Sequence, residues 1–448
     1  MLYFMKKNKL LPSFSLWLLS IIALAGTCSA DVSKANLNDL IAYEETHQKR
    51  DTQIGESGDS GNQSFPSLYQ LAQSKYKHDH SLQEGDEEES IDLDKELTLP
   101  ESLDYPLFIG LCCGKCGGNM PLNIPGGGTA EPHEFRIKTN LNWMRMVGLR
   151  RGTHNRSRTD ALKQYAIVPK YMDMFMSNLS VGYSFSDRFF VGVMGMYMNK
   201  DMSMINRANR KTRMQSQGIG DSMIMTKTLI YADDHLFPTN QVSILLGVSI
   251  PTGSIDQDER GGLLPYSMQL GSGTFDPFVG MLYEGSMTPF WWGVNVSYLS
   301  RLYENYKSYN LGDKFQFDLY GMYQIRHNLV AELQFNGKYV GDIEGQAREI
   351  EQGGTGHMMG NPNRPFGSNL FDPDNYGGTT LDVRMGLQWQ PFHNQILNAQ
   401  IAFPLFQNLH GTQLEQDFTA TISYYVEFPL GKSRRLPKER SGLDILGF

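Results

Sequence analysis

Short segments in which every second residue is apolar recur between Phe135 and Phe428, and this alternation limits the folds open to the chain. The last segment shows it most clearly, with apolar side chains at Phe418, Ala420, Ile422, Tyr424, Val426 and Phe428. Successive side chains of a β-strand point to opposite faces, so each segment has one apolar and one polar face. Strands of about ten residues with this pattern are typical of membrane barrels. The pattern predicts an all-β fold, an antiparallel transmembrane outer-membrane β-barrel.

The candidate strands number about 12, and their connections alternate in length. The predicted strands are 133–146, 170–184, 188–199, 218–232, 240–250, 273–286, 289–300, 314–325, 329–341, 378–390, 395–405 and 417–428. Long segments follow the odd-numbered strands and short turns follow the even-numbered ones. Bacterial barrels have an even strand number, short periplasmic turns and long outer loops. We therefore expect both ends of the barrel sequence to lie in the periplasm, and we expect Trp291, Trp292 and Trp389 to mark strand ends at the membrane interfaces.

The N-terminal third differs from the barrel in composition. Lys6, Lys7 and Lys9 precede an apolar stretch and a small-residue site at Ala30, which predicts a cleaved signal peptide over 1–30. Residues 31–105 are acidic and polar, which predicts a largely disordered periplasmic extension. A lumen plug or a partner-binding helix are alternatives for this extension. A Cys/Gly-rich segment (106–131), the barrel (132–430) and a basic C-terminal tail (431–448) complete the division, which places the protein in the outer membrane of a Gram-negative bacterium.

Composition narrows the function classes. The net charge of −8 offers no nucleic-acid footprint. No segment after the signal peptide reaches the apolar length of a membrane helix. The histidines are scattered and no Gly-x-Ser-x-Gly motif occurs, so we expect no enzyme activity. The expected partners are the lipid bilayer, a small-molecule solute and the outer-membrane assembly machinery.

Methionines follow the polar faces of the first four predicted strands. Their positions predict that the thioethers point into the lumen near its outer mouth, at Met144, Met146, Met172, Met174, Met176, Met194, Met196, Met198, Met223 and Met225. Thioethers suit a soft cation such as Cu(I). They also serve as flexible apolar filler, or as an adaptable path for a hydrophobic solute. The sequence leaves these three alternatives open.

Two further sets of residues are candidates for the lumen or for metal binding. Arg136, Lys138 and Glu427 lie on polar strand faces, and barrel closure is expected to bring Glu427 towards the other two. A structural ion-pair network and a selectivity filter are the alternatives for such charges. Cys113 and Cys116 form a CxxC pair, for which a disulfide is the default in an oxidising compartment. With His357, Met358 and Met359 they are also the candidate ligands of the copper alternative.

Several short strings together resemble one family of outer-membrane proteins. They are Gly218–Asp221, Pro251–Asp256, Tyr266–Asp276, Arg301–Asn305 and Leu409–Glu415. In combination with the Met-rich strands they are similar to the family labelled for the meta-pathway of phenol degradation, over about Pro132 to Phe428. The resemblance implies a barrel that transports aromatic or other small solutes.

The sequence thus predicts a channel for passive passage of a small, partly hydrophobic solute, aromatic compounds included, with no cofactor. Asp276 and Glu304 are secondary candidates for contacts with the solute. The first alternative is an outer-membrane protein that handles copper through the Met-lined mouth. The second is a binding surface formed by the predicted long loops 200–216 and 342–377, with the barrel as an anchor.

Overall fold

The computed structural model describes eight stretches of the chain, and everything below concerns them alone. They are residues 120–126, 132–233, 238–259, 262–287, 289–326, 328–351, 366–392 and 394–430. The signal peptide, the acidic extension, most of the Cys/Gly-rich segment and the basic tail of the sequence prediction lie outside them.

Strands dominate the described residues. In chain order they are β1 (Glu134–Gly152), β2 (His154–Arg156), β3 (Ile167–Ser184), β4 (Phe189–Asn206), β5 (Lys211–Ile219), β6 (Ser222–Ala232), β7 (Asn240–Ile250), β8 (Asp258–Glu259), β9 (Gly262–Leu263), β10 (Asp276–Met287), β11 (Phe290–Leu299), β12 (Tyr309–Asn310), β13 (Lys314–Arg326), β14 (Leu329–Val340), β15 (Glu344–Gly345), β16 (Gly378–Phe392) and β17 (Gln395–Pro429). The helices are α1 (Arg158–Gln164) and α2 (Arg348–Glu351), with single 3₁₀ turns at Tyr266–Met268, Asn369–Phe371 and Pro373–Asn375. No helix in the described stretches is long and apolar enough to cross a membrane.

A closed antiparallel barrel contains eleven of these strands. Its wall follows chain order through β1, β3, β4, β6, β7, β10, β11, β13, β14, β16 and β17, and β17 closes the ring by pairing with β1. The two further strands of the sheet, β2 and β5, extend it at the outer end by pairing with β1 and β4. The predicted all-β barrel is confirmed.

The last strand, β17, supplies two neighbouring positions in the wall. Residues from Gln395 to Leu409 pair with β16, and residues from Leu409 to Pro429 pair with β1. The chain doubles back between these halves, since the Glu427 amide donates to the Asn394 carbonyl at 3.0 Å. Gly411 has a φ of +57° at the turn, which a glycine adopts without strain. The two halves match the last two strands predicted from the sequence.

The prediction of a long loop at 200–216 is wrong. β4 continues to Asn206 and β5 begins at Lys211, so this segment is a hairpin that projects beyond the barrel rim. Met202 and Met204 alternate with Ser203 and Ile205 there, but no lipid-facing apolar row accompanies them. A strand above the membrane needs no such row, which removes the signal used to detect the others.

The outer surface of the barrel carries an apolar band between two aromatic rows. Five strands place an aromatic residue at each edge, eight residues apart, as Phe135 and Trp143, Tyr183 and Phe175, Phe189 and Tyr197, Phe290 and Tyr298, and Tyr323 and Phe315. Eight residues span about 27 Å along a strand, or about 20 Å of height at a usual barrel tilt. This height is close to that of the apolar band of outer-membrane barrels.

The face assignment made from the sequence is confirmed along the wall. Leu387 is 49 % exposed on the outside, whereas its neighbour Gln388 is fully buried inside. The same alternation holds for Leu333 and Gln334, and for Leu319 and Tyr320. The polar faces therefore line the lumen. Trp291 is an exception to the predicted aromatic rows, because it is buried on the lumen side while Trp292 faces outwards.

Candidate functional site

Two buried carboxylates, each surrounded by side-chain amides, lie inside the lumen. Asp318 is fully buried and accepts hydrogen bonds from Asn295 at 2.9 Å, Gln316 at 3.0 Å and Gln334 at 2.8 Å, as well as from Asn336. Several charge-assisted bonds to one carboxylate offset much of its desolvation. These donors come from β11, β13 and β14, so Asp318 joins three strands.

A second carboxylate, Glu332, has a similar environment on the neighbouring wall. Its two oxygens accept from Gln388 at 2.9 Å, Asn398 at 2.6 Å and Gln400 at 2.6 Å. The donors belong to β16 and the first half of β17. Neutral amides rather than lysines or arginines thus donate these hydrogen bonds to both carboxylates.

Charged side chains of both signs also lie in the lumen. Lys227 donates to Glu284 at 3.0 Å, and both side chains are almost completely buried. Arg136 lies opposite Glu427 in the register of β1 and β17, as barrel closure predicted. The Arg136 guanidinium also stacks over the Phe190 ring at 4.4 Å. Arg136 thus connects β1 with β17 and β4, and the Lys227–Glu284 pair connects β6 with β10.

A short segment that precedes the barrel lies inside its lumen, and we call residues 120–126 the plug. Its Met120, Leu122 and Ile124 side chains are all fully buried. Met120 and Ile124 belong to one cluster with the wall residues Leu282, Trp291, Tyr320, Met322 and Val330. Leu122 packs with Ile396 and Tyr425 on the other side. The plug thus connects opposite regions of the wall and fills part of the lumen with apolar atoms.

Lumen side chains hold the plug mainly through its main chain. Gln388 donates to the Met120 carbonyl at 3.1 Å, and Lys138 donates to the Ile124 carbonyl at 3.5 Å. Gln400 also donates to the side chain of Asn123, at 2.9 Å. The polar wall therefore satisfies the backbone of the plug, as a buried irregular segment requires. The sequence analysis considered a plug only for residues 31–105, and it missed this segment.

Four methionines form one row across the outer part of the wall. The register pairs Met146 with Met172, Met172 with Met202, and Met202 with Met214, across β1, β3, β4 and β5. Met144 and Met174 are paired in the next position, and Met176 and Met198 in the one after. Met194 and Met223 are paired further down, and Met196 and Met225 lie on the same strand faces. All ten predicted methionines therefore lie on lumen-facing positions.

An inserted loop closes the mouth over this row. Met268, at the end of a 3₁₀ turn between β9 and β10, is fully buried against Met172, Met202 and Met204. Leu264 and Leu370 complete the cluster from the outer loops. We call Met146, Met172, Met174, Met202, Met204, Met214, Met268, Leu264 and Leu370 the mouth cluster. Its thioethers are packed against apolar side chains of the loops, as flexible apolar filler would be.

Lys200 fixes the inserted loop to the wall. Its buried ammonium group donates to the Ser267 carbonyl at 2.9 Å and to the Gln269 carbonyl. Ser216 donates to the Met268 carbonyl at 2.6 Å. Three consecutive carbonyl groups of the loop are thus bound by side chains of β4 and β5.

Tyrosines bind the outer loops to one another above the mouth cluster. Tyr266 contacts Tyr309 and Tyr376 edge-on, with ring centroids 4.8 Å and 5.6 Å apart. Burial raises the pKa of Tyr266 to about 12, so its hydroxyl is neutral at physiological pH. Ile343, Ala347 and Phe371 pack around them. These contacts involve four separate loop regions and close the outer end of the barrel.

Four of the five strings on which the family resemblance depends meet in one hydrogen-bonded knot, and Leu409–Glu415 is not part of it. Asp221 accepts from the amides of Gly253 at 3.1 Å and Ser272 at 2.8 Å. Asn305 donates to the Ser272 carbonyl at 2.9 Å. Asp276 is fully buried, accepts from Ser272 at 3.0 Å and from Thr274 at 2.6 Å, and forms an ion pair with Arg301. Asp276 is thus bound inside the protein, whereas Glu304 is exposed.

The candidate ligands of the copper alternative cannot be placed. Cys113, Cys116, His357, Met358 and Met359 lie outside the described residues, and so does the disulfide candidate. Within the stretches that the structure describes, no group of three or more His, Cys, Asp and Glu side chains could hold a metal ion.

Comparison with known proteins finds similarity in structure alone. No family model and no curated protein matches the sequence. Among solved structures, the chain is similar to an outer membrane channel from Pseudomonas putida F1, with 12 % identity and a TM-score of 0.48 over 68 % of this chain and 99 % of that one. It is also similar to the CymD monoaromatic hydrocarbon channel, with 9 % identity and a TM-score of 0.32 over 67 % and 90 % of the two chains. A third similar structure is the NanC porin, with 9 % identity and a TM-score of 0.34 over 65 % of this chain and 100 % of that one.

At these identities and TM-scores, neither the solutes nor the activities of those proteins transfer to this chain. The family label suggested by the short strings therefore stays a prediction. The closed wall, the apolar outer band and the aromatic rows on both sides of it are properties of the chain itself. They make the protein a β-barrel of the bacterial outer membrane.

Proposed function

We propose that the protein is a channel whose resting state is closed at two places. The observation that carries this proposal is that the two closures are inserts and not parts of the wall. The plug lies inside a lumen lined by amides and charges, and the loop bearing Met268 fills the outer mouth. Displacement of both inserts leaves the strand pairing intact, so passage requires no opening of the barrel.

The proposed solute is small and partly hydrophobic, with aromatic compounds included. Met144, Met176, Met194 and Met196 are half-buried on lumen-facing positions between the mouth cluster and the plug. Thioether side chains have three rotatable bonds and bind aromatic rings favourably, so they adapt to solutes of different shape. The amides further in would bind a polar group of the same solute.

Solute flux into proteoliposomes tests the proposal. The variant M144Q/M176Q replaces two thioethers by amides of similar length. We expect it to reduce the flux of phenol relative to that of a hexose, while ionic conductance stays close to that of the wild type. Met287→Gln is the matched control, because Met287 is 64 % exposed at the opposite end of the barrel. An unchanged ratio of phenol to hexose flux in M144Q/M176Q would contradict the assignment of the solute class.

Conductance of the full-length mature protein tests the channel itself. We expect rare openings in wild-type protein and frequent openings after the plug is weakened by M120S/L122S/I124S. If neither protein conducts ions or passes phenol in a folded state, the channel proposal is wrong.

A further inference from the structure

An excess of basic side chains marks one side of the outer end of the barrel. Residues 150–165 and 200–213 together contain ten lysines and arginines and two acidic residues, in a chain of net charge −8. The first segment runs from the end of β1 through β2 and α1, and the second is the hairpin of β4 and β5. The two are in contact, since Arg207 donates to the Leu162 carbonyl at 2.7 Å, near the end of α1.

Both acidic residues of these segments are already paired. Asp160 forms an ion pair with Lys163 at 2.7 Å, and Asp201 forms one with Arg213. Arg150 pairs with Glu415 at 2.7 Å, and Arg207 is occupied by carbonyl groups. Four exposed cations remain, and we call them the basic ridge: Arg151, Arg158, Arg210 and Lys211. Among the described residues, no acidic side chain forms an ion pair with any of them.

The basic ridge continues the surface that faces the lipid. On β5 the outward residues are Ile219, Gln217, Gln215, Arg213 and Lys211, and all of them are exposed. Ile219 pairs with Tyr197 of the outer aromatic row, which sets the level of the membrane interface. Lys211 lies eight residues above Ile219, or about 20 Å above that level at a usual barrel tilt. The surface thus changes from apolar to amide to cationic with height above the membrane.

We propose that the basic ridge binds the phosphorylated core of lipopolysaccharide, the anionic glycolipid of the outer leaflet. Lipopolysaccharide carries phosphate groups on its inner core sugars, which extend from lipid A away from the membrane surface, towards the height of the ridge. Arginine presents paired donors that match phosphate oxygens, and three of the four ridge residues are arginines. Binding here holds the projecting β4–β5 hairpin against the leaflet. This role is independent of any solute that crosses the lumen.

Native mass spectrometry of the refolded mature protein in detergent tests the proposal, with purified rough lipopolysaccharide as the probe. A cation close to an anionic lipid surface contributes about fivefold in affinity, so R210Q/K211Q is expected to weaken binding about thirtyfold. The control R188Q/R326Q removes two exposed cations from the periplasmic turns and leaves the affinity unchanged. The difference between the two variants is also expected to shrink in 1 M salt, because the Debye length there is about 3 Å and exposed charges farther apart than this are screened.

A second measurement needs no variant. Wild-type protein is expected to bind the same lipopolysaccharide much more weakly after its phosphates are removed chemically. Equal affinity for the phosphorylated and dephosphorylated forms would overturn the proposal, and so would equal affinities of R210Q/K211Q and R188Q/R326Q. Tighter binding of soluble polyphosphate than of lipopolysaccharide would assign the ridge to a soluble polyanion and would also overturn it.

Discussion

Replacement of Leu122 by serine tests whether the plug closes the channel. The Leu122 side chain is fully buried between Ile396 and Tyr425 of the wall. Transfer of a leucine side chain out of water is worth roughly 2 kcal/mol, and the cavity left by a smaller residue adds to the loss. We expect Leu122→Ser to weaken the seated plug by about 3 kcal/mol relative to the released one.

This free energy has a direct consequence for the equilibrium between the closed and the open channel. A change of about 3 kcal/mol alters an equilibrium constant about 100-fold, since each 1.4 kcal/mol is a factor of ten. None of the described strand pairings of the wall involves the plug. The fraction of time that a single channel is open should therefore rise about 100-fold, with no loss of barrel formation.

Single-channel recording in planar bilayers measures this fraction, and heat-modifiable electrophoretic mobility reports barrel formation separately. Leu302→Ser is the control, because Leu302 is 67 % exposed in an outer loop and the same change there removes no buried contact. If folded Leu122→Ser protein opens no more often than Leu302→Ser protein, the plug is not a closure and the reasoning fails.

Combination with Met268→Ser extends the test to both closures. Met268 belongs to the mouth cluster and shares no cluster with the plug. The effects of distant sites without common partners add in free energy. The open fractions should therefore multiply in the double variant. An effect of the double variant no larger than that of either single variant would show that one motion opens both ends.

Three further changes give separate outcomes. Lys200→Met leaves carbonyl groups of the inserted loop without their donor, which costs about 1–3 kcal/mol for each buried group. The open fraction should therefore rise while the heat stability of the barrel is retained. An unchanged open fraction would exclude Lys200 as the anchor. Asp221→Ala removes the acceptor of two loop amides. It should lower the temperature at which the band of the folded protein disappears in heat-modifiability gels. An unaltered temperature would show that the knot does not stabilise the protein. Hydrogen bonds from Lys307 lower the pKa of Asp256 and of Glu349. Carboxyls with a lowered pKa stabilise the fold at pH values above their ordinary pKa. This contribution is lost as the pH falls below about 4. Pepsin should thus cleave the outer loops faster as the pH falls from 4 to 2, and Lys307→Met should show a smaller change over that range; an equal change in both proteins would refute the link.

The wall of the barrel could be predicted because its signal is local. A period of two assigns each residue to a face whatever the rest of the chain does. The boundaries of β7 at Asn240–Ile250 agree with the prediction, and those of β13 and β14 agree within one residue. The approach of Glu427 to Arg136 across the seam also followed, because closure of an antiparallel ring must place the last strand beside the first.

The hairpin of β4 and β5 escaped prediction for a physical reason. Within the membrane the outer face of a strand must be apolar, so each strand shows an apolar row. Above the aromatic rows that requirement ends, and Gln215, Gln217 and Arg213 occupy the outward positions of β5. Pairing then depends on the hydrogen bonds to β4, which leave no pattern in the side chains.

The strings behind the family resemblance were recognised without their structural role. Asp221, the segment from Ser272 to Asp276, and Arg301 are separated in the sequence, and their meeting depends on how three outer loops fold inwards. Asp276 was proposed for contact with a solute. Its burial and its ion pair with Arg301 instead fit a role in holding the loops together.

The plug shows most clearly why the content of a lumen does not follow from the alternation of its wall. The alternation determines that Lys138, Gln388 and Gln400 face inwards, but amides and ammonium groups in a lumen can bind water, a solute or another part of the chain equally well. Here two of them bind the main-chain carbonyls of Met120 and Ile124. Every residue has such a carbonyl, so these contacts place almost no demand on which residues occupy the segment. The specific side chains of the plug are three apolar residues and Asn123, which accepts from Gln400, and such a set before a strand is too common to indicate insertion. A lumen closed through main-chain hydrogen bonds is therefore recognised from the folded structure. In the sequence, the sign of such a closure is the row of amides on the inward face of the wall.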